Sequence, residues 1–148
     1  MLTDPSQYGR LVRDWDIFNA DVIAEFRANG GAVARFGGLP VVIVHTIGAK
    51  SGTVRDVPLI PVFLDDQMLL FGTAAGSPTH PAWYFNLRAH PRVTVEYGTE
   101  TFTADVVLLP EADAAGLVSR QAETTPQLAE YVESAAPRSI PVFEITRR

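Results

Sequence analysis

Two apolar runs, residues 57–64 and 67–71, are separated only by Asp65-Asp66. Two more, residues 92–97 and 101–109, turn around Gly98. Connections this short can join only antiparallel neighbours, because a parallel pair needs a crossover of roughly a dozen residues or more. The middle of the chain is thus constrained to consecutive hairpins.

Around these hairpins the other elements read coarsely. Residues 40–46 (PVVIVHT) are a β-branched strand run. Pro58 and Pro61 lie inside the following run, and proline cannot donate to a central ladder, so that strand is expected at an edge, bulged or bent. Residues 16–29 predict a helix, with Phe18, Val22 and Phe26 on one stripe and Gly30-Gly31 as its stop. A short helix is expected over residues 81–90, and a helical stretch over 111–134, broken near Pro126. A last strand is expected over 139–146. About six strands with helices outside make a mainly β, α+β fold: a closed or split barrel. No repeat or linker interrupts residues 1–148, which read as one domain with the helix of residues 14–30 at its front.

The composition excludes several chemistries. The chain has 148 residues and no cysteine, so disulfides, thiolate metal sites and cysteine nucleophiles are ruled out. Its net charge is −5 with no basic stripe, which argues against nucleic acid as a partner. The longest apolar run, residues 39–44, is far short of a bilayer span, and residues 1–13 carry no targeting pattern, so a cytoplasmic location is expected. His45, His80 and His90 show no metal-ligand spacing, and no serine stands in a nucleophile context, so neither a metal nor a hydrolytic triad is expected.

Residues 48–55 (GAKSGTVR) are unlike the rest. Lys50 is the chain's single lysine. It sits among small residues whose N–H groups can approach a ligand closely, with Ser51 beside it and Arg55 five positions on. A phosphate requires such donors, although a solvated hairpin loop reads equally well from these residues. The following spacing is not that of a Walker loop. In residues 80–87 (HPAWYFNL), Trp83, Tyr84 and Phe85 cannot all face one core, since successive helical positions differ by about 100°. Packing on the barrel remains the simpler reading of these aromatics.

The ordered set Gly48-x-Lys50-Ser51-Gly52-x-x-Arg55-x-x-Pro58-Leu59, then His80-Pro81-Ala82-Trp83-Tyr84-x-Asn86-Leu87, then Arg138-Ser139-Ile140-Pro141-Val142-Phe143, resembles the deazaflavin-dependent nitroreductase family. The resemblance runs from about Pro40 to the C-terminus. It implies a split β-barrel of the FMN-binding type and coenzyme F420 as cofactor, with FMN the second choice. It implies that Lys50, Ser51 and Arg55 hold the phosphate, with Ala49, Gly52 and Asp56 in the same segment. Val57, Pro58, Leu59 and Ile60 would run along the ring system, and Thr73, Ala74, Ala75 and Gly76 would form the opposite loop. Ala82, Trp83, Tyr84 and Asn86 would close the site, and Tyr131 is the expected proton donor. The chain departs from the family at Thr73-Ala74-Ala75-Gly76, where Ser-Lys/Asn-Gly-Gly is common, and in keeping Tyr131 alone of a tyrosine cluster. The implied activity is hydride transfer from reduced F420 to an apolar, quinone-like acceptor, with nitroreduction as a side activity. An FMN-dependent oxidoreductase and a non-catalytic cofactor or lipid carrier are the alternatives. The N-terminal helix is left as a lid or a peripheral membrane contact, and the oligomeric state is left open.

Overall fold

The computed structural model describes the backbone of residues 5–148 and the side chains of residues 16–148. Asp14 and the N-terminal part of the expected lid therefore have side chains outside the described residues. The elements run α1 (Pro5–Ala28), β1 (Val42–Ile47), β2 (Val54–Leu59), β3 (Val62–Leu64), β4 (Gln67–Phe71), α2 (Ala82–Ala89), β5 (Arg92–Tyr97), β6 (Glu100–Leu108), α3 (Glu111–Ala122), α4 (Pro126–Ala135) and β7 (Val142–Arg147). Short 3-10 turns lie at Ala34–Phe36 and Ala74–Gly76.

All seven strands form one antiparallel sheet in the order β2-β1-β5-β6-β7-β4-β3. The single strand expected over residues 57–64 is two strands, and they are the two edges of the sheet. The break falls at Ile60-Pro61, where proline removes the donor needed to continue a ladder. Pro58 sits within β2 opposite Ile43, and the edge position tolerates its missing N–H. The sheet curls enough for Phe63 on β3 to reach Tyr97 on β5, with ring centroids 6.1 Å apart. Its edges do not pair, which makes it a split barrel.

Alternation sorts the apolar residues into three layers. Val42, Val44, Leu70, Val93, Val95, Ala104, Val106, Phe143 and Ile145 fill the barrel. Ile43 and Val41 face outward and are covered by Val22 and Phe26 of α1. On the other flank Ala114, Val118, Leu128 and Ala135 of α3 and α4 cover Leu69 and Val142. β1 is buried on both faces, as its unbroken Val-Ile-Val run requires. Helix α1 ends where Gly31, at φ +97°, passes so close to Gly98 that a Cβ would lie 2.7 Å from its Cα. No described helix is long and apolar enough to cross a membrane.

Register gives the barrel two distinct ends. At one lie the β1–β2 loop, the segment after β4, α2 and the start of β7. At the other lie the hairpin tips at residues 65–66 and 98–99. Strands of six residues separate them by roughly 17–20 Å.

Candidate functional site

The β1–β2 loop folds back on itself. Gly48 N–H donates to Thr53 O at 2.8 Å, and Gly52 N–H donates to Gly48 O at 2.9 Å. Thr53 N–H donates to Ser51 Oγ at 3.2 Å. A Cβ at Gly48 would fall 2.3 Å from Ser51 Oγ, so glycine is what makes room for the serine. Buried Asn86 on α2 fastens the loop from beneath, its Oδ1 accepting from Ala49 N–H at 3.0 Å. Lys50, Ser51 and Arg55 are exposed above it.

Among the described residues neither Lys50 nor Arg55 has an ion-pair partner, whereas Arg27, Arg92, Arg120, Arg147 and Arg148 each pair with a carboxylate. The N–H groups of Lys50 and Ser51 likewise lack a partner among the described residues. Two uncommitted cations and two free amides on a pinned loop are the donor set that fits a phosphate monoester or diester.

Beyond Arg55, the side chains of β2 alternate. Val57 and Leu59 turn into the barrel. Asp56 turns to the opposite face, where its carboxylate meets Arg27 at 3.1 Å and His45 at 3.6 Å. Glu96 completes this group, 2.7 Å from both Arg27 and His45. The Arg27 guanidinium holds the Glu96 carboxyl below its ordinary range, against the opposing effect of burial, and the His45 hydrogen bond adds to the lowering. These four residues dock α1 on the sheet.

The second loop follows β4. Ala74 and Ala75 both have positive φ, +47° and +53°. Helix α4 lies directly on it: Ser134 Oγ donates to Gly76 O at 2.9 Å, and a Cβ on Gly76 would be 3.2 Å from Cδ1 of Tyr131. Tyr131 is thus half-buried against the loop, and its hydroxyl has no partner among the described residues. From the other side Arg138 reaches the carbonyls of Gly72, Thr73 and Ser77 at 2.7–3.1 Å and His80 Nδ1 at 3.2 Å.

Helix α2 joins the two loops. Asn86 near its C-terminal end holds residue 49. His80, just before it, meets Arg138 and stacks on Tyr84 with ring centroids 3.9 Å apart. Burial lowers the His80 pKa, and the charges of Arg138 and Arg88 lower it further. A cavity of about 350 Å³ opens beside this stack, lined in part by His80, Tyr84, Leu109, Glu111, Arg138 and Ile140.

The structure therefore brings the two expected loops onto one helix, with Tyr131 against the second. It directs three expected side chains elsewhere. Trp83 is in the core, its indole 5.5 Å from the ring of Phe143. Asp56 faces α1. Asn86 spends its amide oxygen on the loop. Ala82 and Ile60 are exposed beside the site. Sequence reasoning gave no role to Arg138, Ser134 or His80. Arg138 stood in a recognised motif, but nothing local shows that its partners lie 58 to 66 residues back.

The chain is similar to known proteins over most of its length. The F420H(2)-dependent quinone reductase of Mycobacterium tuberculosis (strain H37Rv) is 32% identical over 129 residues, covering 84% of this chain and 87% of its own. A solved F420-H2 dependent reductase (FDR-A) superposes with TM-score 0.60 at 34% identity, over 72% of this chain and 93% of its own. A structure described as a domain-swapped dimer gives TM-score 0.62 at 29% identity, over 96% and 99%. The family model for F420H(2)-dependent quinone reductases matches residues 19–147, a span that holds both loops, α2, Tyr131 and Arg138, and the chain belongs to that family.

Proposed function

We propose that this protein transfers a hydride from reduced coenzyme F420 to a quinone-like acceptor. The carrying observation is the pinned β1–β2 loop with Lys50 and Arg55 uncommitted. Lys50, Ser51 and Arg55 would hold the cofactor phosphate, with the N–H groups of Lys50 and Ser51 as further donors. Val57, Pro58, Leu59 and Ile60 would lie along the ring, facing Thr73, Ala74, Ala75 and Gly76. Ala82 and Tyr84 would border it, with Trp83 and Asn86 supporting from below. The bound cofactor supplies the hydride; the chain binds, orients and excludes water.

Hydride addition to a quinone leaves an oxyanion. Tyr131, with a free hydroxyl beside the second loop, is the group we assign to stabilise or protonate it. In this reading the protein works in the cytoplasm and touches the membrane peripherally through its N-terminal helix, where Ile17 is 62% exposed. That contact is tested by co-sedimentation with neutral vesicles, from which an unbound protein would stay in the supernatant.

The activity is tested by anaerobic reduction of menadione. Reduced F420 is expected to be consumed stoichiometrically, and NADPH or reduced FMN to be inert. Equal turnover with reduced FMN would overturn the assignment of the cofactor.

A further inference from the structure

Arg138 is a partly buried guanidinium with no carboxylate partner among the described residues. Its donors go instead to three backbone carbonyls and one imidazole. Nη1 donates to Gly72 O at 3.0 Å, Nη2 to Thr73 O at 3.0 Å and to Ser77 O at 2.7 Å, and Nε to Ser77 O at 3.1 Å. Gly72 and Thr73 lead into the loop and Ser77 leads out, so one planar fork spans both ends. Carbonyl oxygens converging this closely repel one another unless a cation stands between them.

Between those ends the backbone is strained. Ala74 and Ala75 both occupy the left-handed region, which disfavours an L-residue by roughly five- to thirtyfold each. Their N–H groups have no partner among the described residues. The bonds that do form, from Gly76 N–H to Thr73 O and from Ser77 N–H to Ala74 O, are those of a single tight turn. Such a conformation persists only where its surroundings over-determine it.

We propose that Arg138 is a positioning residue, whose guanidinium fork holds residues 72–77 in their strained conformation and so presents the Ala74 and Ala75 amides and Tyr131 in fixed relation to α2. The functional part rests on the cofactor reading above; the conformational part does not. Arginine donates only, so the Nδ1 of His80 is the acceptor and the ring proton is on Nε2. The neutral imidazole favoured by burial and by the Arg138 charge is the form this contact needs.

Arg138→Lys is the test, because it keeps the charge and loses the fork. Amide exchange in the cofactor-free protein is expected to quicken at Gly76 and Ser77 by roughly tenfold or more, the size of one lost charged hydrogen bond, with sheet amides unchanged. Adding Ala75→Gly, which tolerates positive φ, is expected to restore much of that protection. Affinity for F420 should follow the same order across the native, double and single variants. Native exchange at the loop, acceleration spread over the whole sheet, an unfolded Arg138→Lys, or no recovery with Ala75→Gly would each overturn the proposal. Failure of the unaltered protein to bind F420 would sink the cofactor reading instead, leaving the exchange result to stand.

Discussion

The backbone N–H of Ala49 donates to Oδ1 of Asn86 at 3.0 Å, tying a solvent-facing loop to a buried helical side chain 37 residues away. The contact fixes where Lys50 stands relative to α2. Asn86→Leu keeps the volume and removes the acceptor. It is expected to cost about 1–3 kcal/mol of stability and to lower cofactor affinity by about tenfold. Denaturant unfolding and a fluorescence titration with F420 measure the two effects. Native affinity in a folded variant would show that the loop needs no anchor.

Lys50→Ala and Arg55→Ala are each expected to weaken cofactor binding by roughly ten- to a hundredfold, since each removes a charged hydrogen bond of about 1.5–3 kcal/mol. Stability should hardly change, because both side chains are exposed and unpaired among the described residues. The discriminating control is the same cofactor headgroup lacking its phosphate. The variants and the native protein should bind that fragment alike; a variant that still loses affinity for it would displace the phosphate from this loop.

Tyr131→Phe removes one hydroxyl and leaves the ring packed on Gly76. Turnover is expected to fall by at most about 10²–10³-fold, the size of one oxyanion contact, with F420 affinity and melting temperature unchanged. Steady-state and single-turnover rates with menadione measure it. Turnover at the native rate would assign the proton to solvent and leave Tyr131 with packing alone.

Two partly buried groups contribute to the acid side of the stability profile, beside the arginine-paired Asp65 and Asp105. The folded state holds Glu96 below 4.5, chiefly through the Arg27 hydrogen bond, so its contribution is present above that value and is lost as pH falls beneath it. His80 is held below 6.5, chiefly by burial. The unfolded chain takes up that proton first, so stability also declines as pH falls below 6.5. Urea unfolding across this range should show both declines. Glu96→Gln should flatten the lower one and His80→Gln the upper; a slope unchanged by either substitution removes that residue from the account.

Much of the fold was legible because hairpins and amphipathic stripes are local patterns. Asp65-Asp66, Gly98 and the Phe18–Val22–Phe26 stripe all mark features the structure contains. The division of residues 57–64 was not legible. Ile60-Pro61 reads as a bend, and only the closure of the whole sheet sends its two sides to opposite edges. The site divides the same way. Lys50, Ser51 and Arg55 announce themselves by residue type in one short segment. Asn86 accepts from a backbone N–H and Arg138 donates to backbone carbonyls far away in sequence, and backbone groups leave no trace in residue type. Trp83 packs in the core, which is the simpler reading of three adjoining aromatics; only the resemblance placed it at the site, and it is Phe85, half exposed, that takes the outward position.

The place of β7 has a consequence for how the molecule is made. It lies between β6 and β4 and is the only bridge from β2-β1-β5-β6 to β4-β3 among the described strands. Until residues 142–147 have left the ribosome, the nascent chain can hold a four-stranded sheet and a separate hairpin, joined to it by Ile60-Pro61 on one side and by residues 72–91 on the other, but no barrel. The inner faces of Leu70, Val95 and Val106 lack the cover of Phe143 and Ile145 for that interval. The closing step is therefore non-local and belongs at the slow end of folding for a chain of this size.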